Sequence, residues 1–202
     1  MYRLILIVFL VFVPALGFSQ VKIGVGGGVA WQDLDNHELD WNDKRFAAAS
    51  DSFDSGPSFY MYAEKEVHRF IALGAAYSYS VMNQQSRAKE YHPDYKESFG
   101  LKREIDVDIH AASLYVKTKY SISDSISPFL QGGAGWLYVD SEQLGTPNGM
   151  FFTGGGGIEY FINDKWGIEI LCLYNKGRAY AGMNDVTDYR YGQTLALLTY
   201  RF

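Results

Sequence analysis

The chain predicts an all-β fold, an eight-stranded antiparallel up-and-down transmembrane β-barrel. Three observations carry that expectation. Eight segments alternate with period two, apolar and aromatic residues on one parity, glycine, small and isolated charged residues on the other. The connections between them run long, short, long, short, moderate, short, long. The composition sets 16 Tyr, 13 Phe and 21 Gly against 5 Pro, which suits aromatic girdles outside and small residues in a narrow lumen.

The first nineteen residues differ in kind from the rest. Met1-Tyr2-Arg3 opens with a positive charge, Leu4 to Leu16 is an apolar run broken by Pro14, and Gly17-Phe18-Ser19 puts small residues three and one positions before Gln20. That is the layout of a secretory signal peptide over 1–19, cut between Ser19 and Gln20, with the barrel domain over 20–202. The run falls short of the ~20 residues a spanning helix needs. No Cys stands at the cut, so a lipid-modified N-terminus is not expected. The lone Cys172 excludes an internal disulfide and reads as a small side chain on a sheet face. With 18 Lys+Arg against 23 Asp+Glu, the protein is a poor nucleic-acid binder.

Val21 to Trp31 is the first strand, with Val21, Ile23, Val25, Val29 and Trp31 alternating against Lys22, Gly24, Gly26, Gly28 and Ala30. Gln32 to Gly56 is a long polar loop. Pro57 to Glu64 resumes the alternation, and a charged turn over 65–68 leads to a third strand. There Ile71, Leu73, Ala75, Tyr77, Tyr79 and Val81 oppose Ala72, Gly74, Ala76, Ser78 and Ser80. A second long loop spans Met82 to Arg103. The fourth strand, Glu104 to Tyr120, changes phase: Ile105, Val107 and Ile109 share one parity, Leu114 and Val116 the other. Either a bulge near Ala111-Ala112-Ser113 or emergence of its upper part from the bilayer accounts for this.

A turn over 122–125 precedes Ser127 to Val139, where Leu130, Gly132, Ala134, Trp136 and Tyr138 share a face. After a moderate loop around 144–149 comes the clearest hairpin, Phe151 to Tyr174, closed by Asn163-Asp164-Lys165. Its outer face holds Phe152, Ile158, Tyr160, Trp166, Ile168 and Ile170; its inner face holds glycines, Glu159 and Glu169. A face so small and glycine-rich cannot solubilise a sheet, but it fits the crowded inside of a closed barrel. Asn175 to Arg190 forms the last loop and Tyr191 to Phe202 the closing strand. A soluble lipocalin-like barrel is the competing reading, opposed by the outward aromatics at the strand ends.

Ser113 to Val139, Gly154 to Ile170 and the ending Leu198-Thr199-Tyr200-Arg201-Phe202 resemble the small eight-stranded outer-membrane barrels of the OmpA/OmpX type. The resemblance implies the bacterial outer membrane, short periplasmic turns, long extracellular loops and both termini in the periplasm. It also implies that Tyr200 and Phe202 serve as the signal read by the barrel assembly machinery. It does not imply one activity.

Sites of chemistry are few. Gly154 to Gly157 lacks the Lys-Ser/Thr of a phosphate loop and does not open a helix. His37, His68, His92 and His110 do not pair at metal spacing. The acidic loop at Asp33 puts Glu38 and Lys44 where a calcium loop needs Gly and Glu. His110, with Asp106 and Asp108 on its parity, is the one candidate for a rim-located lipid-modifying enzyme, and that chemistry also needs a Ser beside it. We therefore expect no metal, no cofactor and no catalysis. Function is expected instead through outer-membrane lipid and an extracellular partner at loops 32–56 and 82–103. Within the barrel, alternation turns Glu64, Glu159, Glu169 and Arg201 inward, and Lys117 too if the fourth strand shifts phase. These five predict a structural salt-bridge cluster filling the periplasmic half of the lumen.

Overall fold

The structure is a computed structural model that describes residues 21–32, 38–41, 44–48, 55–90, 99–140, 146–180 and 186–202. The expected leader, 1–19, lies outside the described residues. The elements are β1 (Val21–Gln32), β2 (Glu38–Trp41), β3 (Lys44–Ala48), β4 (Ser55–His68), β5 (Ile71–Glu90), β6 (Phe99–Lys119), β7 (Ile126–Asp140), β8 (Asn148–Phe161), β9 (Trp166–Tyr180) and β10 (Val186–Arg201). No helix among the described residues is long and apolar enough to cross a membrane, which says nothing against crossing by strands.

β1 and β4 to β10 form a closed, all-antiparallel barrel of eight strands: neighbours in sequence pair throughout, and β1 pairs with β10. Every barrel strand thus finds both its hydrogen-bonding partners, which a lipid-embedded sheet requires. The short pair β2–β3 lies inside the first long connection and joins the barrel through Ala47↔Lys89 and Ala48↔Ala88.

The outside is apolar. Val25, Leu73, Leu114, Val116, Leu130, Phe152, Ile158, Ile168, Ile170 and Leu198 are all exposed, with Trp166, Tyr120, Tyr160 and Phe202 toward the end that carries the termini. In water such a surface would drive aggregation; against acyl chains it is the matching surface. At about 3.4 Å per residue and a tilt of about 40°, the climb along β9 from Trp166 to Lys176 covers roughly 25 Å, the height of an outer-membrane apolar band.

The interior is layered. A charged layer lies nearest the termini. Above it pack Tyr60, Tyr62, Ala76, Tyr115, Phe129, Leu171, Leu173, Leu195 and Leu197. A polar belt follows, in which Gln193 Nε2 donates to Ser58 Oγ at 2.8 Å and Ser80 Oγ at 3.1 Å while Asn175 Nδ2 donates to Gln193 Oε1 at 3.1 Å. The far end is closed by Ala30, Met82, Val107, Ile109, Ala111, Leu137, Val139, Phe151, Ala179, Tyr189 and Tyr191.

Two expectations are corrected here. The fourth barrel strand has no bulge: β6 keeps an unbroken register with β5 and with β7. Val107 and Ile109 point inward with Lys117, because the upper lumen is apolar and takes them. The irregularity falls instead between Glu66 and His68 on β4. Second, the connections expected at 82–103 and 175–190 are largely strand. β5 and β6 stay paired as far as Glu90↔Phe99, and β9 and β10 as far as Tyr180↔Val186. Above the bilayer neither face of a strand meets lipid, so the apolar alternation that marks strands below is lost there.

Candidate functional site

The charged layer is built from residues that pleating sends inward near the short turns. Lys22 and Glu64 face each other across β1 and β4, and Glu159 and Glu169 across β8 and β9. Two carboxylates directly opposed repel, and Lys22 answers them. Its Nζ lies 2.6 Å from Glu159 Oε1, 2.8 Å from Glu64 Oε1 and 3.5 Å from Glu169 Oε2. Lys117 Nζ is 3.1 Å from Glu64 Oε2 and 3.1 Å from Glu169 Oε1. Lys119 Nζ reaches Glu64 Oε1 at 3.2 Å, Glu66 Oε1 at 2.9 Å and Glu159 Oε2 at 3.9 Å.

Neutral groups complete the network. Tyr62 donates to Glu169 Oε2 at 2.7 Å and Tyr115 to Glu64 Oε2 at 3.0 Å. The Lys117 ammonium also sits over the Phe129 ring at 4.1 Å and the Tyr62 ring at 4.8 Å. Glu64, Glu159, Glu169 and Lys117 are 0% exposed, and Lys22 is 2% exposed. Burial on that scale is tolerable only because each charge meets opposite charge or a phenol.

Four of the five residues expected in this cluster, Glu64, Lys117, Glu159 and Glu169, lie together. Arg201 does not join them. It stands opposite Lys22 in register, so a cation already holds the inner position. Its Nη2 pairs with Glu66 Oε1 at 3.2 Å at the partly exposed rim, and its guanidinium lies over Phe161 at 4.8 Å. Sequence reasoning missed Lys22 and Lys119. Both signals were present: Lys22 holds the glycine parity of the first strand, and Lys119 the parity of Lys117.

Glycine makes room for this layer in two places. A Cβ on Gly24 would run into the Tyr62 ring, and one on Gly74 into the Tyr115 ring. Each glycine lets a phenol lie against the wall and reach its carboxylate.

His110 lies on the outer wall, partly exposed, between its register partners Tyr79 and Tyr138. Its Nδ1 and Tyr77 OH are 2.7 Å apart, Tyr79 OH donates to Asp108 Oδ2 at 3.2 Å, and the Tyr79 and His110 rings lie tilted by 30° with centroids 4.8 Å apart. The group at Nδ1 is thus a phenol, where a triad histidine holds its orienting carboxylate. Side-chain contacts of Asp106 lie outside the described residues. No group of three or more His, Cys, Asp or Glu among the described residues is placed to hold a metal ion.

At the C-terminus, Tyr200 packs edge-on against Trp166 at 4.8 Å and Phe202 against Tyr200 at 4.9 Å. Phe202 N donates to Val21 O at 3.0 Å, closing the seam between the ends of the chain.

An antiparallel barrel closed on itself, apolar outside and charged within, is a membrane-spanning barrel. The model of the outer membrane protein beta-barrel domain family matches residues 4–202, and the chain belongs to that family and to the bacterial outer membrane. Among solved structures, Neisserial surface protein A is 13% identical with a TM-score of 0.60, over 90% of this chain and 97% of that one. Ail, the attachment invasion locus protein of Yersinia pestis, is 18% identical with a TM-score of 0.45, over 91% and 99%. The outer membrane protease OmpT of Escherichia coli is 7% identical with a TM-score of 0.47, over 92% and 98%. At such identities the likeness is one of fold, and a fold does not fix an activity. Comparison with curated protein sequences gave no match.

Proposed function

We propose that this chain is a non-enzymatic, non-conducting outer-membrane barrel that holds extended hairpins above the surface for contact, adhesion or partner binding. The supporting observation is the filled lumen, in which an ion-paired layer, an aromatic and leucine layer, a polar belt and an upper apolar layer succeed one another. A solute would have to displace the buried ion pairs and both apolar layers. The length of β5 and β6 beyond the apolar band supports the display role. Both termini lie in the periplasm in this reading, and the segments 32–56 and 82–103 face outward.

The test has two arms. Purified, folded protein in planar bilayers should give no steps of conductance above background; regular channel openings would overturn the closed-lumen part. Cells carrying the protein with 86–103 replaced by a short turn, which keeps the buried Met82 and its pairing with Val107, should keep the folded barrel in the outer membrane but lose binding to the surfaces or partners that wild-type cells hold. Binding retained without both 86–103 and 32–56 would overturn the display part.

A further inference from the structure

Every interface of the barrel but one joins strands that follow one another along the chain; the exception is β1–β10, which joins the first strand to the last. A connection limits how far paired strands can slide, and a short turn fixes their register outright. No segment does this at β1–β10. Lipid outside and a filled lumen inside forbid a slip of one residue, since that would turn every side chain to the other face. A slip of two residues leaves each face as it is.

β1 resists such a slip poorly by itself. On the parity of Lys22 it carries Gly24, Gly26 and Gly28, with Gly27 between them, and a glycine-rich strand specifies its pairing weakly. The two directions of slip differ. A Cβ at Gly26 would run into Ala196 O, and one at Gly28 into Thr194 O. Sliding β1 so that Ala30 faces Leu195 puts a methyl where Gly28 now fits. Sliding it the other way makes Val25 face Ala196 in place of Leu198. Gly24 and Gly26 then take the places of Gly26 and Gly28, and no such obstacle arises.

What opposes this second slip is a set of side-chain bonds that straddle the seam. Lys22 on β1 holds Glu159 on β8 and Glu169 on β9. Tyr62 on β4 donates to Glu169, and Gln193 on β10 donates to Ser58 on β4 and Ser80 on β5. At about 3.4 Å per residue, a two-residue slip shifts these partners by roughly 7 Å, out of bonding range. Lys22 would keep Glu64, its register partner on β4, while Glu159 would lose its nearest cation. A buried charge left that way is costly. We infer that the Lys22 ion pairs, seconded by Gln193, are a register lock: they select one alignment of β1 on β10 as the barrel closes, and with it one stagger for the whole barrel.

The test is disulfide trapping of the seam in full-length protein carrying Cys172→Ala, folded into liposomes and then oxidised. Val25 and Leu198 are exposed register partners, and Ala196 is exposed one pleat away. Val25→Cys/Leu198→Cys reads the native alignment. Val25→Cys/Ala196→Cys reads the slip that glycine permits, and Val25→Cys/Tyr200→Cys the slip that Ala30 blocks. Diagonal partners lie about 7–8 Å apart, at or beyond the reach of a disulfide, so each pair reports one register. With Lys22 in place only the first pair should cross-link. Lys22→Met should raise the Val25–Ala196 cross-link at least about tenfold, adding Gln193→Leu should raise it further, and Val25–Tyr200 should stay at background. Lys22→Arg should keep the native cross-link alone. Heat-modifiable migration shows which variants fold, and Lys22→Met/Glu159→Gln, which removes a carboxylate with the cation, stands in if Lys22→Met does not. The native cross-link alone in every folded variant, or both slips appearing equally, would overturn the proposal. So would failure of Lys22→Met/Glu159→Gln to fold, which would make these pairs a condition of folding rather than of alignment.

Discussion

Lys117 carries much of the interior's electrostatic balance, because its ammonium is fully buried between Glu64 and Glu169 and against two rings. Replacing it by Met leaves carboxylates short of a counter-charge, and we expect the barrel to lose about 3–5 kcal/mol of stability. Urea unfolding in liposomes measures this, and adding Glu169→Gln should restore part of it. Arg201→Met is the contrasting case. Its pair with Glu66 is about one third exposed on each side, 35% and 31%, so solvent screens it and the expected loss is at most about 1 kcal/mol. A loss for Arg201→Met as large as for Lys117→Met would contradict the placement of Arg201 at the rim. Gly74 makes a steric prediction: Gly74→Ala pushes a methyl into the Tyr115 ring and should cost about 1–3 kcal/mol by overpacking. Tyr115→Leu in the same background should relieve the clash, though it forfeits the bond to Glu64.

At the scale of elements, the seam between β1 and β10 decides whether the barrel closes. Phe202 donates a backbone bond to Val21 and packs on Tyr200, and its side chain faces lipid. Deleting it removes the last aromatic of that strand and the contact that ties the two ends. We expect less heat-modifiable, folded protein in the outer membrane, with export across the inner membrane unchanged. An undiminished folded yield would mean that Phe202 has no part in assembly. The β5–β6 hairpin is an element of a different kind. Its upper half is paired strand rather than free loop, so a foreign epitope should be accommodated near Tyr91, beyond the last pair, and should disturb the barrel when placed at Ser80, whose side chain is buried in the polar belt. Heat-modifiability of the two insertions distinguishes these outcomes.

For the whole molecule, the apolar belt and the position of the short turns give a topology that can be read on living cells. An epitope at Tyr91 should bind antibody on intact cells, while one at Asp164, in the turn between β8 and β9, should do so only after the outer membrane is opened. Labelling of Asp164 on intact cells would reverse the orientation. The filled lumen gives the molecule its stiffness: the layers tie together strands that are distant in sequence, as Lys22 to Glu159 and Gln193 to Ser58 show.

The sequence alone determined the barrel, its strand number and which parity faces lipid, because a membrane enforces strict alternation wherever a strand crosses it. Trp166, Ile168 and Ile170 outside and Glu169 inside were legible for that reason. Glu64, Glu159 and Glu169 were legible inside as well, since few charges share the glycine parity, whereas Lys22 and Lys119 carried the same signal and were missed. Which cation met which carboxylate was decided only by the tertiary structure. Strand tilt and register bring Lys22 to Glu159 across a separation in sequence of 137 residues, and they put Arg201 opposite Lys22 and so out at the rim. The same holds for Val107 and Ile109. Read along one strand they look like a lipid-facing stretch out of phase, and only the apolar layer assembled from neighbouring strands shows them to be inside. Periodicity reports which face a residue is on; what that face meets depends on strands the local sequence does not contain.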